Sequence, residues 1–311
     1  MMRRFRVFDL ALDSDVAFPE LEPSPAPAPD LVLRSGEEHD APPPDADWFH
    51  ALHLASEDAW LRVGRHAGAF VMQFRDFLTL QVAPPDLTWW RDPDLPDDSL
   101  RHVLLNQALP MIVAHAPRTV LHAACVALDG RAVLIAGPAG AGKSTLAAAL
   151  ASRGWHSAGD DAVAVACGPA GARARVAYAG LRLWPDACVA LGVPGGTPVI
   201  SEDGKRQFRT ARQGSEDLPV SAICLLATAG PCERASLRPL SAREAVMGLI
   251  RNAYVLDTQD RARAASHLAA LSRLAKGTTV CELRTPRGFE AFDDIQALLG
   301  RQLASQASPC P

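Results

Sequence analysis

One nine-residue segment has the residue types and spacing of a phosphate-binding loop. The segment GPAGAGKST fits the pattern G-x-x-x-x-G-K-[ST] in full. Its glycines allow successive backbone N–H groups to point at phosphate oxygens, its lysine reaches the β- and γ-phosphates, and its serine hydroxyl is a ligand for Mg²⁺. The pattern therefore predicts a site for ATP, or another nucleoside triphosphate, together with Mg²⁺. The predicted nucleotide-binding residues are Gly137, Pro138, Ala139, Gly140, Ala141, Gly142, Lys143, Ser144 and Thr145.

Two adjacent carboxylates, Asp160 and Asp161, follow this loop after one predicted helix and one short predicted strand. The pair is therefore expected at a strand end beside the loop, where one carboxylate can hold Mg²⁺ and the other can accept a proton from an attacking hydroxyl. A doublet so close to the loop favours transfer to an alcohol over hydrolysis. A solvated turn at Gly159-Asp160-Asp161 is the alternative, and adjacency alone leaves the two roles interchangeable.

A histidine, His122, lies in the apolar segment Thr119–Leu128, which is predicted as a strand. The next two residues, Asp129-Gly130, are a strong signal for a two-residue hairpin. The hairpin would fold this strand alongside Arg131–Ala136, the strand that leads into the loop, so His122 is a candidate for contact with the nucleotide. A core histidine without a chemical role is the alternative.

The predicted elements place these groups in an α/β layered core over residues 115–305, because strands alternate with helices there. The strand Arg131–Ala136 enters the loop, and the helix Leu146–Arg153 leaves it. A capping-box pattern, Ser241 followed by Glu244, predicts the start of another helix. The remaining predicted elements are the strands Trp155–Ala158, Ala162–Cys167, Val220–Ala227 and Thr278–Arg284 and the helices Thr258–Leu274 and Phe289–Leu303.

The first hundred residues are different in character, with short strands and proline-rich connectors. The connectors EPSPAPAPD and APPPD cannot be helical. Pro84–Asp98 is predicted as a loop, and Ser99–His115 as a helix that is capped by one of the residues 97–99. Pro110 must either kink this helix or start a new turn. The predicted strands here are Arg4–Leu12, Leu31–Arg34, Ala59–Val63, Gly68–Phe74 and Phe77–Val82.

Composition excludes several classes of protein. The 311 residues have a formal net charge of −4, and without a basic excess a nucleic acid is not expected as the main partner. No apolar run reaches the roughly 18 residues of a membrane helix, and the N-terminus lacks the pattern of a signal peptide. We therefore expect a cytoplasmic protein with no membrane span. The seven cysteines are widely spaced without a C-x-x-C pair, which is typical of reduced core residues.

The segments around His122, the loop and the Asp doublet, taken together, resemble the catalytic domain of bacterial HPr serine kinase/phosphorylases. That family has a histidine before its phosphate loop and an Asp pair after the next strand, at similar spacings. The closer resemblance is to the short HPr-kinase-related serine kinases, including those that modify lasso-peptide precursors. Further segments that match these relatives are Ser14–Leu21, Gly180–Ala187, Gly204-Lys205-Arg206 and Val280–Leu299.

The resemblance implies a P-loop kinase core of the HPr kinase type, a mixed sheet flanked by helices, beside a small strand-rich N-terminal domain. It implies that Asp160 is the catalytic base, that Asp161 joins Ser144 as a Mg²⁺ ligand, and that Lys143 and His122 contact phosphates. Basic side chains often stabilise the charge of the transferred phosphoryl group. The matching residues here are Lys205 and Arg206, for which a solvated pair in a loop is the alternative. The signature linked to dephosphorylation and HPr docking is not recognisable, so the resemblance supports neither of these properties.

Together these features predict an ATP/Mg²⁺-dependent kinase that acts on a Ser/Thr hydroxyl of a peptide or small protein, such as a lasso-peptide precursor encoded nearby. The predicted domains are 1–98, strand-rich; 99–305, the HPr-kinase-like catalytic domain; and 306–311, a frayed tail. We expect the front domain to hold an extended acceptor by adding a strand to a sheet edge. The alternatives are a regulatory nucleotide-binding module with slow ATP hydrolysis and a kinase of a small-molecule alcohol. The sequence leaves open whether the protein forms a homo-oligomer and whether Arg251, Asn252 and Tyr254 reach the site.

Overall fold

The computed structural model divides the chain into two compact units. The described residues are 1–37, 46–53, 58–193, 197–198, 206–209, 217–227, 234–286, 288 and 291–305. The first unit comprises 1–115, 198–204 and 255–261, and the second comprises the rest. Residues 99–115 thus belong to the first unit, whereas the predicted boundary lies before them. The predicted tail 306–311 and Lys205 lie outside the described residues. Among the described residues, no helix is long and apolar enough to cross a membrane.

The first unit is built on an eight-stranded sheet in the order β1-β2-β3-β8-β7-β6-β5-β4. Its strands are β1 (Arg3–Val7), β2 (Leu10–Ser14), β3 (Leu31–Ser35), β4 (Asp47–His53), β5 (Ala59–His66), β6 (Ala69–Phe74), β7 (Leu78–Ala83) and β8 (Asp86–Arg91). The prediction of one strand over Arg4–Leu12 is wrong, because the chain reverses at Phe8, which has a φ of 55°, to form the β1–β2 pair.

The prediction of a loop over Pro84–Asp98 is also wrong, because β8 lies within it. This strand pairs with β7 on one side and β3 on the other. Its sequence DLTWWR is rich in aromatic and β-branched residues, which favour a strand, while the prolines on both sides mark only its ends. The indole N–H of Trp89 donates to Oδ1 of Asp15 at 3.1 Å, so this tryptophan has a structural partner in the sheet.

Both described edges of this sheet are unsuited to a regular added strand. Along β1, the N–H of Arg6 donates to the carbonyl of Glu22 at 2.8 Å, and the N–H of Ser24 donates to the carbonyl of Arg4 at 3.1 Å. The proline-rich segment thus covers that edge. At the opposite edge, β4 pairs with β5 through two shifts of register, and such irregularities hinder pairing with another chain.

A helical stretch ends the N-terminal part of the first unit. It consists of α1 (Asp97–Val103), a π-helical segment (Leu104–Ala108) and α2 (Leu109–His115). The helix begins after Pro96, which makes no side-chain cap, so the prediction of a cap within 97–99 is wrong. Pro110 lacks an N–H and would clash with the carbonyl of Asn106 in a regular α-helix. The wider π-helical segment just before it accommodates the ring.

The second part of the chain forms a mixed α/β structure, as predicted. Its main sheet runs β12-β10-β11-β18-β14-β13-β9, with β20 paired to β18 and β19 to β20, and a small sheet has the order β15-β17-β16. The elements are β9 (Thr119–Leu121), β10 (Ala123–Leu128), β11 (Arg131–Ala136), α3 (Lys143–Ala151), β12 (His156–Gly159), β13 (Val163–Gly168), β14 (Gly171–Val176), β15 (Gly180–Leu183), α4 (Pro185–Ala190), β16 (Thr197–Pro198), β17 (Arg206–Arg209), β18 (Asp217–Leu226), β19 (Ser236–Pro239), α5 (Ala242–Arg251), α6 (Arg261–Gly277), β20 (Thr279–Arg284) and α7 (Phe292–Ser305).

The central strands of this sheet are buried on both faces. Alternate residues of β11, such as Val133 and Ile135, pack with α3 and α7, whereas Leu134 faces the cluster that contains α5 and α6. Because successive side chains of a strand point to opposite faces, a strand covered on both sides reads as a continuous apolar run. This is why β11 and the hairpin before it were predictable.

Two local predictions are confirmed and one is wrong. Asp129 and Gly130 both have positive φ, 50° and 72°, as a two-residue hairpin turn requires. The capping box at α5 is present, with the N–H of Ser241 donating to Oε2 of Glu244 at 2.9 Å. The single strand predicted over Thr119–Leu128 is instead interrupted at His122, because β9 pairs with β13 while β10 pairs with β11 and β12.

We expect Ser241→Ala to lower the free energy of unfolding by about 1 kcal/mol, because it removes the side-chain acceptor for an N–H group in the first turn of α5. Urea unfolding at neutral pH measures the difference. Ser241→Thr keeps the hydroxyl and is the matched control, which should remain close to the parent chain. Equal stability of the alanine variant and the parent would contradict a stabilising role for the capping box.

Candidate functional site

The predicted phosphate loop joins the C-terminal end of β11 to the N-terminus of α3. Gly140 and Gly142 have φ values of 78° and 94°, a conformation that L side chains rarely adopt. Gly142 is the N-cap of α3 and has no side chain to bind the first N–H groups of the helix. The positive end of the helix dipole and these N–H groups are therefore directed to the loop, as an anion site requires.

The lysine of the loop is buried, with 6% of its surface exposed. Its Nζ donates to the carbonyl oxygens of Gly137 at 2.9 Å and Pro138 at 3.1 Å. The ammonium group of Lys143 is thus held by the backbone of the loop itself. A phosphate bound to the loop N–H groups would meet a positive charge that is already in place.

The first aspartate of the doublet, Asp160, lies at the end of β12 and is 7% exposed. One carboxylate oxygen, Oδ2, accepts the N–H of Arg182 on β15 at 3.1 Å. The other, Oδ1, is buried and makes no hydrogen bond of acceptable geometry within the described residues. A buried acceptor without a donor is costly, so Oδ1 is the atom of the site that most needs a proton, a metal ion or a hydroxyl group.

The environment of Asp160 favours its protonated form. Burial, followed by the neighbouring charge of Asp161, raises the pKa of Asp160 to about 6. The hydroxyl of Ser144 and the backbone N–H groups of Arg182 and Asp161 act in the opposite direction. The hydroxyl of Ser144 is thus close enough to the Asp160 carboxylate to influence its pKa. Oδ1 itself has no hydrogen-bond partner within the described residues.

The second aspartate, Asp161, occupies an unusual backbone conformation. Its φ is 64°, and the N–H of Ala162 donates to the carbonyl of Asp160 at 2.8 Å, which closes a three-residue turn around it. A turn of this kind with positive φ is rare and strained. Its side chain pairs with Arg182, with 3.3 Å between Oδ2 and Nη1. Arg182 therefore contacts both carboxylates, one through its backbone and the other through its guanidinium group.

The histidine predicted from the sequence reaches the same turn. Nδ1 of His122 lies 3.0 Å from the carbonyl oxygen of Asp161 and 3.2 Å from the hydroxyl of Tyr254. Burial, followed by the positive charge of Lys143, lowers the pKa of His122 to about 4. The ring is therefore neutral at physiological pH, and a neutral imidazole offers a phosphate group no positive charge.

The structure thus brings together the loop, the doublet and His122, and it adds two residues that the sequence analysis does not assign. Arg182 lies in a segment noted only for its resemblance to relatives, and Tyr254 follows α5 without a motif. Arg206 is an exposed residue of β17 that is paired in register with Leu183, the neighbour of Arg182. Its charge acts on Cys188, and its contact with phosphate stays a prediction.

The donors present fit a Mg²⁺ ion that is shared with a nucleotide. Within the described part of the chain no three His, Cys, Asp or Glu side chains form a metal cluster. Mg²⁺ usually takes only one or two carboxylates and fills its other positions with phosphate oxygens and water. The uncompensated Oδ1 of Asp160, the neighbouring carboxylate of Asp161 and the hydroxyl of Ser144 form a donor set of that kind.

Comparison with known proteins gives limited matches. The profile of the family described as "SynChlorMet cassette protein ScmC" matches residues 93–177, less than half of the chain but inclusive of the loop and the doublet. No curated protein matches the chain. Among solved structures, the HPr(Ser) kinase/phosphatase from Coxiella burnetii is similar at 16% identity with a TM-score of 0.33, over 61% of this chain and 99% of that chain. A structural likeness this weak carries no argument about function.

Asp160→Asn should change how stability depends on pH. Because the pKa of this carboxyl is raised from 3.8 to about 6 on folding, its contribution to stability is complete below the lower value and is lost as the pH rises through the higher one. The variant should therefore gain stability relative to the parent as the pH rises from roughly 4 to 7, by on the order of 2 kcal/mol. Urea unfolding of both chains at several pH values measures this, and a difference that stays constant with pH would contradict it.

Proposed function

We propose that this chain is an ATP- and Mg²⁺-dependent kinase that transfers the γ-phosphate to a serine or threonine hydroxyl of a peptide or small protein. The observation that carries the proposal is Asp160, a buried carboxylate with one oxygen lacking a donor, next to Ser144 of a phosphate-type loop. A general base must accept a proton from the acceptor hydroxyl and works best with a pKa near the working pH. Its pKa of about 6 suits that role.

The proposed division of roles follows from these contacts. The loop N–H groups and Lys143 hold the β- and γ-phosphates, Asp160 takes the hydroxyl proton, and Ser144 and Asp161 hold Mg²⁺. When bound, the ion neutralises charge on the transferred phosphoryl group. The proximity of Asp160 to Ser144 equally fits the exchanged assignment, with Asp160 as metal ligand and Asp161 as base. The two aspartate variants described below distinguish these assignments.

The proposal includes a P-loop core of the HPr kinase type for the second unit. Its support is the order of elements: a histidine on an interrupted strand, a hairpin, a strand–loop–helix unit and an Asp doublet after the next strand. Phosphate transfer to an alcohol requires that water be excluded from the reacting atoms. The buried position of Asp160 meets that requirement better than a solvated turn would.

The acceptor is proposed to be a polypeptide from the same gene neighbourhood. The matched family is described as a cassette protein, which supports a search among the products of neighbouring genes, lasso-type precursor peptides included. The structure disfavours docking of the acceptor by strand addition at either described edge of the first sheet. One edge is covered by the segment at Glu22–Ser24, and the other has an irregular register.

Lys143→Met should weaken the binding of Mg·ATP by about 10–100-fold, because it removes charge-assisted hydrogen bonds to phosphate. Thermal unfolding with and without Mg·ATP measures the effect, with isothermal titration for the dissociation constants. Lys276→Met is the matched control, since Lys276 lies in the last turn of α6 outside the loop. Equal stabilisation of the Lys143 variant and the parent by Mg·ATP would overturn the nucleotide site.

Labelled γ-phosphate should appear on a serine or threonine of a separate polypeptide, with a gain of about 80 Da per site, the mass of one phosphoryl group. The probes are the small proteins of neighbouring genes and a library of Ser/Thr peptides. Asp160→Asn should reduce transfer on the order of 10²–10⁴-fold with little change in ATP affinity, whereas Asp161→Asn should shift the Mg²⁺ requirement. The reverse pattern would exchange the two roles.

Consumption of ATP to free phosphate, with no labelled polypeptide, would overturn the peptide-kinase proposal in favour of a regulatory nucleotidase. Labelled small alcohols from a metabolite extract, with no labelled polypeptide, would favour a small-molecule kinase. If neither aspartate variant changes transfer or the Mg²⁺ requirement, the doublet is a structural turn.

A further inference from the structure

Three polar atoms from distant parts of the chain meet beside the Asp doublet. The carbonyl oxygen of Asp161 lies 3.0 Å from Nδ1 of His122 and 3.1 Å from the hydroxyl of Tyr254, and these two groups are 3.2 Å from each other. All three distances are within hydrogen-bonding range. The side chains of His122 and Tyr254 therefore converge on one backbone carbonyl, that of the aspartate next to the proposed base.

Counting the protons in this triangle indicates that Nδ1 of His122 carries a proton. The carbonyl can only accept, and the tyrosine hydroxyl has a single proton to give. If Nδ1 of His122 carried no proton, it would be an acceptor only 3.0 Å from another acceptor, the carbonyl of Asp161. Repulsion between two acceptors is avoided when Nδ1–H of His122 and the hydroxyl of Tyr254 both donate to the carbonyl of Asp161. Nε2, the other ring nitrogen, is then the acceptor of the neutral ring.

A short backbone pairing delivers Tyr254 to this position. Leu121 and Ala253 form an isolated antiparallel bridge, the N–H of His122 donates to the carbonyl of Asn252 at 2.6 Å, and the N–H of Tyr254 donates to the carbonyl of Val120 at 2.9 Å. The residues that follow α5 are thereby hydrogen-bonded to the backbone at the end of β9. At the interruption between β9 and β10, the backbone thus makes its hydrogen bonds to the segment Asn252–Tyr254.

The carbonyl that receives both donors belongs to the strained turn. With φ at 64°, Asp161 is in a conformation that is strained for a residue with a side chain and that persists only where the surroundings enforce it. This carbonyl belongs to the peptide that joins Asp161 to Ala162. Rotation of the peptide would redirect the Asp161 carboxylate relative to the turn and would break the hydrogen bond from the N–H of Ala162 to the carbonyl of Asp160. Two hydrogen bonds to the Asp161 carbonyl oppose that rotation.

We propose that Tyr254 is a positioning residue of the phosphotransfer site, whose hydroxyl acts with Nδ1–H of His122 to hold the Asp161 carbonyl. The two donors thereby keep the turn that carries the Asp160 and Asp161 carboxylates in one conformation. This inference rests on the proposed kinase function. It also changes the role of His122 from a contact with phosphate, which the family resemblance implies, to a donor to the protein backbone.

The first test is Tyr254→Phe, which removes only the hydroxyl. With [γ-³²P]ATP as probe, and total loss of the γ-phosphate to water and acceptor peptides as readout, kcat should fall about tenfold, while the KM and dissociation constant for Mg·ATP stay within about twofold. Tyr178→Phe removes the same atom from the other tyrosine of the chain, which is buried, and should lower kcat less than Tyr254→Phe.

The second test separates the two ring nitrogens of His122. The amide nitrogen of asparagine lies near the place of Nδ1, and that of glutamine near the place of Nε2. If donation to the Asp161 carbonyl is what matters, His122→Asn should keep several-fold more activity than His122→Gln. The opposite order would overturn the proposal in favour of a direct contact of Nε2 with phosphate.

The outcomes for the two proposals are distinct. If the parent chain consumes no Mg·ATP, the kinase function fails, and the inference that depends on it fails as well. If the parent is active and Tyr254→Phe has the same kcat, only the positioning role is overturned. An equal rise in KM and in the dissociation constant for Mg·ATP with unchanged kcat would likewise overturn it, because this pattern indicates a general loss of nucleotide binding.

Discussion

The burial of one carboxylate at the end of β12 is the constraint on which the rest of the site depends. Asp160 can stay there only because Arg182 supplies an N–H to one oxygen and Ser144 lies near the group. Neither is a neighbour in sequence, so the loop, β12 and β15 must all be in place before the carboxylate is tolerated. As a result, the pKa of Asp160 is raised and its Oδ1 has no donor among the described residues. Both properties are typical of groups that take part in chemistry.

Charge compensation around the doublet is shared unequally. Asp161 has the guanidinium group of Arg182 as a partner, whereas Asp160 interacts with uncharged donors, the backbone N–H of Arg182 and the hydroxyl of Ser144. The two adjacent carboxylates therefore lie in different electrostatic environments, and such a difference is the usual way that one site separates an acid–base role from an electrostatic role. Burial, followed by the positive charge of Lys143, lowers the pKa of His122, so the site holds its positive charge on the lysine and the arginine.

The parts of the structure that could be predicted are those encoded by local patterns. The strand–loop–helix unit, the Asp129-Gly130 hairpin and the capping box at Ser241 each depend on a few adjacent residues. The missed elements depend on distant partners: β15 has only four residues and pairs with β17, and β8 pairs with β3, from which four other strands separate it along the chain. The roles of Arg182 and Tyr254 could not be predicted for the same reason, since each is brought to the doublet by long-range contacts.

The pairing of the segment after α5 with the strand at His122 also constrains the order in which the protein can mature. Tyr254 lies 93 residues after the carbonyl that it contacts and 132 residues after the histidine. Contacts this far apart in the chain are slow to form because their loop must close first. During synthesis, a growing chain that already carries the phosphate loop and the doublet would lack the support for the Asp161 turn until α5 and the residues after it had emerged from the ribosome.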